Sequence, residues 1–422
     1  MINKILGKVF HNGQEFEVDL VDSKIQSNNF WEHFTQNNYL SFPEEVAIDL
    51  MVISEFVYYC DRLFLRETAI DGWKRVISMD IPLLNDGIFV ENLDLLQNLL
   101  NFLTGDDWTL SFHSRKLTDW EEKIRLKCNE KDGENFQDIC MFSGGLDSYI
   151  GAIDLLEEGR IPIFVSHYGG SKGTLPYQES LKERLMNVYP TLEGEQFFQF
   201  YIAPQNVKED TTRSRSFLFF SHAIVVASSV KAQRLIVPEN GFISINVPLT
   251  FARSGSSSTR TTHPYYFKLF QELLSNLGLN IEIFNPFKFL TKGQMIQDCQ
   301  NQQLIRETAE DTMSCSKPDY ARWKGYNEPV HCGFCIPCTI RRASFFAGGI
   351  DDKTPYLTTN YSTPEANSNL NAFRLSIAQN MTKDPEFIIQ RNGIIPDNFK
   401  SYASIYQNGL IELNSFLESI GL

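Results

Sequence analysis

The spacing of apolar and polar residues in the first third of the chain predicts a module of mixed helices and strands. Two stretches in which apolar and polar residues alternate, Lys4–Phe10 and Glu15–Leu20, flank His11-Asn12-Gly13 and predict a short hairpin. Other apolar runs predict two helices and two strands, at Glu44–Arg66, 88–103, 73–83 and 107–113. We therefore expect an α+β domain over residues 1–133, ending in the polar segment Asn129–Asn135.

Large aromatic residues of this module are expected in its core, because such side chains are mostly buried in folded proteins. They are Trp31, Trp73, Trp108 and the cluster Phe56-Val57-Tyr58-Tyr59. A docking surface for a partner protein is the alternative, and the pattern alone does not separate the two.

From residue 134 the pattern changes to short apolar runs separated by helical segments. Ile139–Phe142 predicts a buried strand, a helix with Ile150 and Ile153 on its packed side follows, and Ile161–Ser166 predicts the next strand. Such a strand, helix, strand unit places its strands parallel, with ligands at their carboxyl ends. Further strands are predicted at Gln196–Ile202, Leu235–Pro238 and Ile281–Asn285, and further helices at Phe217–Ala227 and Pro264–Leu274. We therefore expect an α/β domain with a parallel sheet over residues 134–356.

Composition excludes several classes of protein. The chain has 422 residues, 42% of them hydrophobic, but no apolar run approaches the length of a membrane span, and the start lacks the apolar core of a signal peptide. We expect a globular cytoplasmic protein. The net charge of −14 argues against a broad nucleic-acid footprint, although a local basic groove stays compatible with it. The eight cysteines favour thiols or metal ligands over a disulfide framework.

The segment between the first strand and helix of the α/β domain has the composition of a phosphate-binding loop. It is Phe142-Ser143-Gly144-Gly145-Leu146-Asp147-Ser148. The glycines let backbone amides approach an anion, the helix start adds partial positive charge, and the serines add hydroxyl donors. A carboxylate beside a polyphosphate is tolerable only if it holds Mg²⁺ or a loop amide, which gives Asp147 a function. An ordinary turn in which Asp147 and Ser148 cap the helix is the alternative.

Polar residues follow two other predicted strands at the same edge of the sheet. His167 and Tyr168 come after the second strand, and Asn240 and Gly241 follow the strand that ends at Pro238. We expect His167 and Tyr168 near an adenine ring or ribose, since ligands bind at carboxyl ends of parallel strands. A purely structural role for these side chains is the alternative.

Cations flank the same region of the sequence. Arg213 and Arg215 precede the helix Phe217–Ala227 and predict an anion clamp, because guanidinium pairs with phosphate in a fork geometry. A solvated basic turn is as good an interpretation for Arg213. Lys292 could neutralise a phosphate. The polar stretch Ala252–His263 is interpreted as a substrate-ordered loop, with a plain linker as the alternative.

A second group of residues has the spacing of a metal site. Cys315, Cys332, Cys335 and Cys338 suit tetrahedral Zn²⁺, with a tight cluster formed by the last three. Four cysteine ligands leave no open position, so a structural ion is expected. An iron–sulfur cluster is the alternative, and His331 is a competing ligand. The remaining cysteines are predicted to be buried thiols, at Cys60, Cys128, Cys140 and Cys299.

The segment after residue 357 has the pattern of amphipathic helices. Asn369–Asn380 and Phe399–Ile420 are the clearest examples. We expect a helical extension over residues 357–422 that packs against the cysteine lobe, and a contact with a partner protein is the alternative.

These motifs together resemble a known family. The loop 142–148 resembles that of PP-loop ATP pyrophosphatases, which split ATP into AMP and pyrophosphate to adenylate a substrate oxygen. With Arg215 before a helix, Thr-Lys-Gly-Gln-Met-Ile at 291–296 and His-Cys-Gly-Phe-Cys-Ile-Pro-Cys at 331–338, the chain resembles QueC, the 7-cyano-7-deazaguanine synthase family, over residues 136–356. The resemblance implies adenylation of the carboxylate of 7-carboxy-7-deazaguanine, displacement of AMP by ammonia, a second activation that gives a nitrile, and a structural zinc.

The chain departs from that family in its additional N-terminal and C-terminal parts and in Glu239-Asn240-Gly241 after Pro238. These features are similar to enlarged QueC-like proteins of bacterial anti-phage systems, the type found in the Qat system and in type IV CBASS. That similarity implies an amide between a deazaguanine carboxylate and an amine on a partner protein, with the additional domains holding the partner.

The implied mechanism depends on positioning. Mg²⁺-ATP lies over the loop 143–148, the carboxylate attacks the α-phosphorus, and Arg215 and Lys292 stabilise the charge that develops on the phosphates, with Asp147 and Ser148 in the same site. Three functions stay open: a protein-modifying ligase, a stand-alone nitrile synthase that uses ammonia, and a nucleotide-binding scaffold without turnover. A tRNA-modifying enzyme is disfavoured by the negative charge.

Overall fold

The computed structural model describes residues 4–23, 28–131, 133–168, 173–249 and 260–422. The strands of these ranges are β1 Leu6–His11, β2 Gln14–Asp19, β3 Val76–Leu83, β4 Asp107–Ser114, β5 Asp138–Met141, β6 Ile163–Tyr168, β7 Phe197–Tyr201, β8 Arg234–Ile236 and β9 Glu282–Phe284. The α-helices are α1 Asn28–Gln36, α2 Glu45–Leu63, α3 Asp86–Glu91, α4 Leu93–Thr104, α5 Asp119–Asn129, α6 Leu146–Glu157, α7 Leu175–Val188, α8 Arg215–Ser229, α9 Gly241–Ser244, α10 Pro264–Asn276, α11 Lys292–Asp298, α12 Gln302–Thr308, α13 Tyr320–Trp323, α14 Ile336–Gly348, α15 Pro364–Asn380, α16 Pro385–Ile389 and α17 Phe399–Ser419.

The first sheet has the strand order β2-β1-β3-β4. β1 pairs antiparallel with β2 and with β3, and β3 pairs parallel with β4. Asn12 and Gly13 form the two-residue connection of the hairpin, and both have a positive φ, of 50° and 75°. A tight hairpin turn requires this left-handed backbone, which asparagine and glycine tolerate best. The predicted hairpin is therefore confirmed.

The second sheet is wholly parallel, with the order β7-β6-β5-β8-β9. β5 lies at its centre, and the chain moves outward from β5 first on one side and then on the other. In such a sheet a crevice forms at the carboxyl ends of the strands, where the order reverses. The predicted α/β fold with a parallel sheet is confirmed, and the loop after β5 lies in this crevice.

Helix α2 joins the two sheets. Residues 47–61 are buried on every side of this helix, because it packs against β3 on one side and against α8 on the other. A helix that is apolar around its whole circumference belongs inside a core. Side chains from both sheets accordingly share one hydrophobic cluster, which includes Trp31, Phe56, Trp108 and Phe217.

Two predictions for the N-terminal part need correction. The helix predicted over 88–103 is two helices, α3 and α4, which meet at Asn92. The Asn92 side chain donates a hydrogen bond to the Ile88 carbonyl, a local contact that competes with a continuous helix. Trp73 is only partly buried, and the Arg66 and Arg213 guanidiniums each lie 4.9 Å from its ring centroid. The structure also contains two helices that the sequence pattern did not predict, α1 and α5.

The C-terminal helices were predicted correctly. Side chains of α15 and α17, such as Phe373 and Tyr406, share a hydrophobic cluster with the cysteine lobe. The expected packing of the extension against that lobe is confirmed. Over the described ranges, no helix combines the length and the apolar character that crossing a bilayer requires.

Candidate functional site

The loop between β5 and α6 has the geometry of an anion-binding turn. Gly144 has a φ of +81°, and a Cβ on it would lie 3.0 Å from the Gln178 side chain. The Ser148 hydroxyl lies 3.1 Å from the Ser143 hydroxyl and donates to the Gly145 carbonyl at 3.0 Å. Because α6 begins directly after Gly145, its unpaired amides are directed toward the crevice.

Asp147 is the electrostatic centre of the site. The Lys292 ammonium lies 2.7 Å from one of its carboxylate oxygens. The other oxygen accepts hydrogen bonds from the backbone amide and the side-chain amide of Asn240, at 3.1 and 2.7 Å. Burial opposes ionisation of this carboxyl, but the charge of Lys292 and the surrounding hydrogen bonds outweigh it and hold the pKa of Asp147 below its usual value. The aspartate therefore holds a loop amide, one of the two roles that the sequence allowed.

Gly241 allows the loop that carries Asn240 to approach the segment that leads to Lys292. A Cβ on Gly241 would lie 2.3 Å from the Lys288 carbonyl oxygen. Its amide donates to the Leu290 carbonyl at 2.9 Å. The loop that carries Asn240 is thus fixed to the segment that leads to Lys292, and only glycine permits the approach.

A cavity of about 260 Å³ opens beside the phosphate loop. Ser143, Ser148, Arg215 and Glu239 contribute to its walls. The Arg215 guanidinium lies 4.8 Å from the ring centroid of Phe219, which also borders the cavity. The cavity therefore offers a cation, a carboxylate and hydroxyl donors to one bound molecule.

The two residues at the end of β6 differ in their surroundings. His167 is buried, and its ring lies 4.3 Å from that of Phe219. Burial, together with the charge of Arg215, holds the pKa of His167 well below its usual value, so the ring is neutral. Tyr168 stacks on Tyr201 at 5.3 Å. Contact of either residue with an adenine or ribose stays a prediction.

Arg213 is neither a solvated turn residue nor a wall of the cavity. It is buried and donates a hydrogen bond to the Thr104 carbonyl at 2.8 Å. Arg213 therefore fastens the segment before α8 to the N-terminal part. Most of the predicted loop Ala252–His263 lies outside the described residues, but Arg260 lies against Phe102, 4.4 Å from its ring centroid.

The structure also adds two residues for which the sequence pattern predicted no role in the site. Gln178 on α7 donates hydrogen bonds to the carbonyls of Ser143 and His167, both at 3.2 Å. It therefore connects the phosphate loop with the end of β6. Glu239 borders the cavity. The strand-end position of Glu239 was a usable signal, whereas nothing in the local pattern around Gln178 indicates its contact.

The four predicted cysteines form a compact group whose sulfur atoms all lie within 4.8 Å of one another. Two sulfur pairs, Cys315 with Cys335 and Cys332 with Cys338, are 3.8 and 3.9 Å apart. Ligands around tetrahedral zinc are separated by about 3.8 Å for a zinc–sulfur bond of about 2.3 Å. Backbone amides of Lys317 and Cys335 donate to the sulfurs of Cys315 and Cys332, as expected around thiolates. The residues present fit a zinc ion.

Neighbouring residues shape this centre. Gly333 has a φ of +88°, and a Cβ on it would lie 1.8 Å from the Thr358 carbonyl oxygen, so no other residue fits this turn. His331 accepts a hydrogen bond from the Ser314 amide at 3.1 Å and lies outside the four-sulfur group. The competing-ligand interpretation of His331 is therefore disfavoured. The other four cysteines are buried thiols, as predicted.

Replacing Cys335 with serine is expected to remove the metal and to lower the midpoint of thermal unfolding, because a structural zinc site contributes directly to folding. Elemental analysis should find about one zinc per chain in the wild type. The Cys299→Ser variant is the matched control, since Cys299 is a buried thiol outside the cluster. Iron with visible absorption in place of zinc would contradict the assignment.

Comparison with known proteins identifies a family domain. The QueC family, described as queuosine biosynthesis protein QueC, matches residues 199–349. A 7-cyano-7-deazaguanine synthase from Psychrobacter sp. (strain PRwf-1) is 25% identical over 199 residues, which are 46% of this chain and 68% of the relative. Synthases from Rickettsia bellii (strain OSU 85-389) and Rickettsia felis are 26% and 24% identical over 157 residues.

These matches cover only part of this chain and only part of each relative. The Rickettsia alignments span 36% of this chain and 60% of each relative. The family match also leaves out residues before 199 and after 349, including the phosphate loop. The family match does contain Arg215, Lys292 and the cysteine group, which the structure combines with the phosphate loop of the parallel sheet. Residues 199–349 of this chain therefore match the QueC family, as one part of a longer sequence.

Proposed function

We propose that the protein adenylates the carboxylate of a 7-carboxy-7-deazaguanine-like molecule and passes the activated acyl group to an amine. A carboxylate oxygen bonds to the α-phosphorus of ATP as the bond to the bridging oxygen breaks and pyrophosphate leaves. The amine then attacks the acyl carbon, the bond to AMP breaks, and the amine loses a proton. An amide, AMP and pyrophosphate result.

The observation that carries this proposal is the cavity in which the phosphate loop and Arg215 meet. Amides at the start of α6 and the Arg215 guanidinium suit phosphate oxygens, whose charge grows as pyrophosphate departs. Lys292 adds a positive charge from the Asp147 side of the loop. No side-chain nucleophile is needed, because holding the two reactants together supplies much of the rate.

Mg²⁺ accompanies ATP in this chemistry and neutralises phosphate charge when bound. Carboxylate oxygens are its preferred protein ligands. Asp147 has both oxygens engaged by Lys292 and Asn240. Glu239 borders the cavity and accepts a hydrogen bond from the Asn240 side chain at 3.2 Å, and it is the carboxylate that the cavity itself offers as a candidate ligand. Zinc would have a separate, structural role, because four cysteines would close its coordination sphere.

The source of the amine separates two candidate products. The relatives are named 7-cyano-7-deazaguanine synthases, which favours ammonia and a nitrile. The parts of the chain beyond the family match favour a larger acceptor, an amine on a partner protein, in an anti-phage defence system. We place the protein-modifying ligase first, because the N-terminal part contributes directly to the support of the cavity through Arg213 and Thr104.

The deciding experiment supplies the purified protein with Mg²⁺-ATP and 7-carboxy-7-deazaguanine, with ammonium or with a co-expressed neighbouring protein. We expect acid-dependent pyrophosphate release, and a mass increase of the partner equal to the acyl group. A free nitrile formed from ammonium, without any partner modification, would favour the stand-alone synthase. ATP binding without pyrophosphate release under every condition would leave only the nucleotide-binding scaffold.

The Arg215→Gln variant is expected to release pyrophosphate about a hundredfold more slowly, the usual effect of losing one preorganised donor to developing charge. Arg374→Gln is the matched control, because Arg374 is exposed on α15 in the C-terminal extension. Initial rates of pyrophosphate release at saturating ATP measure both variants. Equal rates for the two would exclude Arg215 from the site.

A further inference from the structure

Helix α17 of the C-terminal extension contacts two segments beside Asp147, the start of α9 after Asn240 and the segment Thr291–Gly293. A Cβ on Gly241 would lie 3.0 Å from the Ile405 side chain. A Cβ on Gly409 would lie 2.3 Å from the ring of Phe242, so this ring lies directly on the backbone of α17. One face of a helix outside the family match thus supports the loop that donates to Asp147.

The second contact of α17 is polar and surrounds Lys292. Glu412 accepts a hydrogen bond from the Thr291 hydroxyl through one carboxylate oxygen and from the Gly293 amide through the other, at 3.4 Å. A Cβ on Gly293 would lie 2.7 Å from the Glu412 carboxylate, so the close approach depends on glycine. The carboxylate therefore holds the residues on both sides of Lys292.

The Glu412 contacts fix the backbone on both sides of Lys292, whose side chain pairs with Asp147. The Lys292 side chain is 11% exposed, and its ammonium lies 2.7 Å from the Asp147 carboxylate. Thr291 also caps α11, where its hydroxyl accepts a hydrogen bond from the Gln294 amide. A shift of the Thr291–Gly293 backbone would move the ammonium away from Asp147. We infer that Glu412 is a positioning residue, through which the C-terminal extension directs Lys292 into the phosphate site.

Stability alone does not account for a carboxylate at this position. Burial raises the pKa of Glu412 above its usual value, and its hydrogen bonds to Thr291 and Gly293 offset this only in part. An apolar side chain in the same helix would pack without this desolvation cost. The carboxylate instead provides two hydrogen-bond acceptors, both directed at the short segment Thr291–Gly293.

The test measures how accessible Lys292 is. In the full-length Glu412→Gln variant, the amide has no charge and only one acceptor oxygen, so it cannot replace both carboxylate oxygens, and at least one charge-assisted contact is lost. We expect acetylation of Lys292 by acetic anhydride to rise about tenfold, the change in population expected for one charge-assisted hydrogen bond. Peptide mass spectrometry reports this, with exposed Lys400 on α17 as the internal reference. The Glu418→Gln variant, altered at an exposed site on the same helix, should leave the labelling of Lys292 unchanged.

Kinetics provide the second readout, which rests on the proposed function. Glu412→Gln should slow pyrophosphate release, and the effect should disappear in a Lys292→Met background, because the two residues act in series. The Glu412→Asp variant keeps the charge but shortens the side chain by one methylene, so its carboxylate no longer reaches Thr291 and Gly293, and it decides the matter if Glu412→Gln does not fold. Unchanged labelling of Lys292 in a folded variant would overturn the inference. A wild type without pyrophosphate release would overturn the proposed function alone, because the labelling result does not depend on turnover.

Discussion

Replacing Asp147 with asparagine is expected to slow pyrophosphate release by a factor of about 100 to 1,000, the range seen when preorganised charge stabilisation is removed. The asparagine has nearly the same size but no charge, and its amide nitrogen would face either the Lys292 ammonium or the Asn240 donors. In one orientation the Asn240 loop amide loses its acceptor, in the other Lys292 loses its hydrogen-bond acceptor, and in both Lys292 loses the opposite charge that holds it. A coupled pyrophosphate assay with Mg²⁺-ATP and the deazaguanine acid measures the effect.

The same substitution also affects folding, and the two effects can be separated. Lys292 and Asp147 side chains are only 11% and 8% exposed. Removing one partner of a buried ion pair costs about 3–5 kcal/mol, because the other charge stays buried and unpaired. The double variant Asp147→Asn, Lys292→Met has neither charge, so it should recover most of the lost stability in urea unfolding. It should not recover pyrophosphate release.

Asp154→Asn is the matched control for this experiment. Asp154 lies later on the same helix α6, where it accepts a hydrogen bond from the Gln300 amide, away from the phosphate loop. This variant should keep the wild-type rate of pyrophosphate release. A wild-type rate in Asp147→Asn, measured on folded protein, would exclude Asp147 from the chemistry.

The parts of the site that could be predicted from the sequence are those formed by neighbouring residues. The phosphate loop is a continuous segment between a strand and a helix, and glycines mark the turn at Gly144 and Gly145. Three of the four cysteines lie within seven positions, from Cys332 to Cys338, and Gly333 completes their turn. Such patterns are local, so the chemistry of the backbone and of the ligands determines them before the fold is known.

Contacts between distant segments could not be predicted in the same way. Asp147 and Asn240 meet only because β5 and β8 are adjacent in the sheet. Glu412 reaches Thr291 through the packing of α17, which no motif around Glu412 indicates. Trp73 was assigned to the core on its residue type, but it is only partly buried and two guanidiniums lie 4.9 Å from its ring centroid. Residue type predicts burial, whereas the partner depends on the tertiary fold.

Replacing Asp106 with asparagine is expected to lower the free energy of unfolding by about 3–5 kcal/mol. Asp106 is fully buried and accepts hydrogen bonds from both terminal nitrogens of Arg66, at 2.9 and 2.8 Å. It also accepts from the Arg75 backbone amide, at 3.0 Å, and from the Arg75 guanidinium, at 3.0 and 2.6 Å. Asparagine would leave Asp61 as the remaining carboxylate shared by both guanidiniums. Urea unfolding followed by circular dichroism measures the loss.

The neighbouring residue provides the control. Asp107 pairs with Lys74 at 2.7 Å, but both side chains are nearly half exposed, at 46% and 48%. An exposed ion pair contributes only about 0–1 kcal/mol, because water solvates both charges in the unfolded and the folded chain. Asp107→Asn should therefore have a small effect, although it is one position away and makes the same chemical change. Equal losses in the two variants would show that the buried cluster contributes no more than a surface pair. The expected difference would instead show that the buried charges of Asp61, Arg66, Arg75 and Asp106 stabilise the fold more than a surface pair does. Asp61 on α2 also accepts hydrogen bonds from Ser214, directly before Arg215, so the same cluster connects the N-terminal part with the segment that borders the cavity.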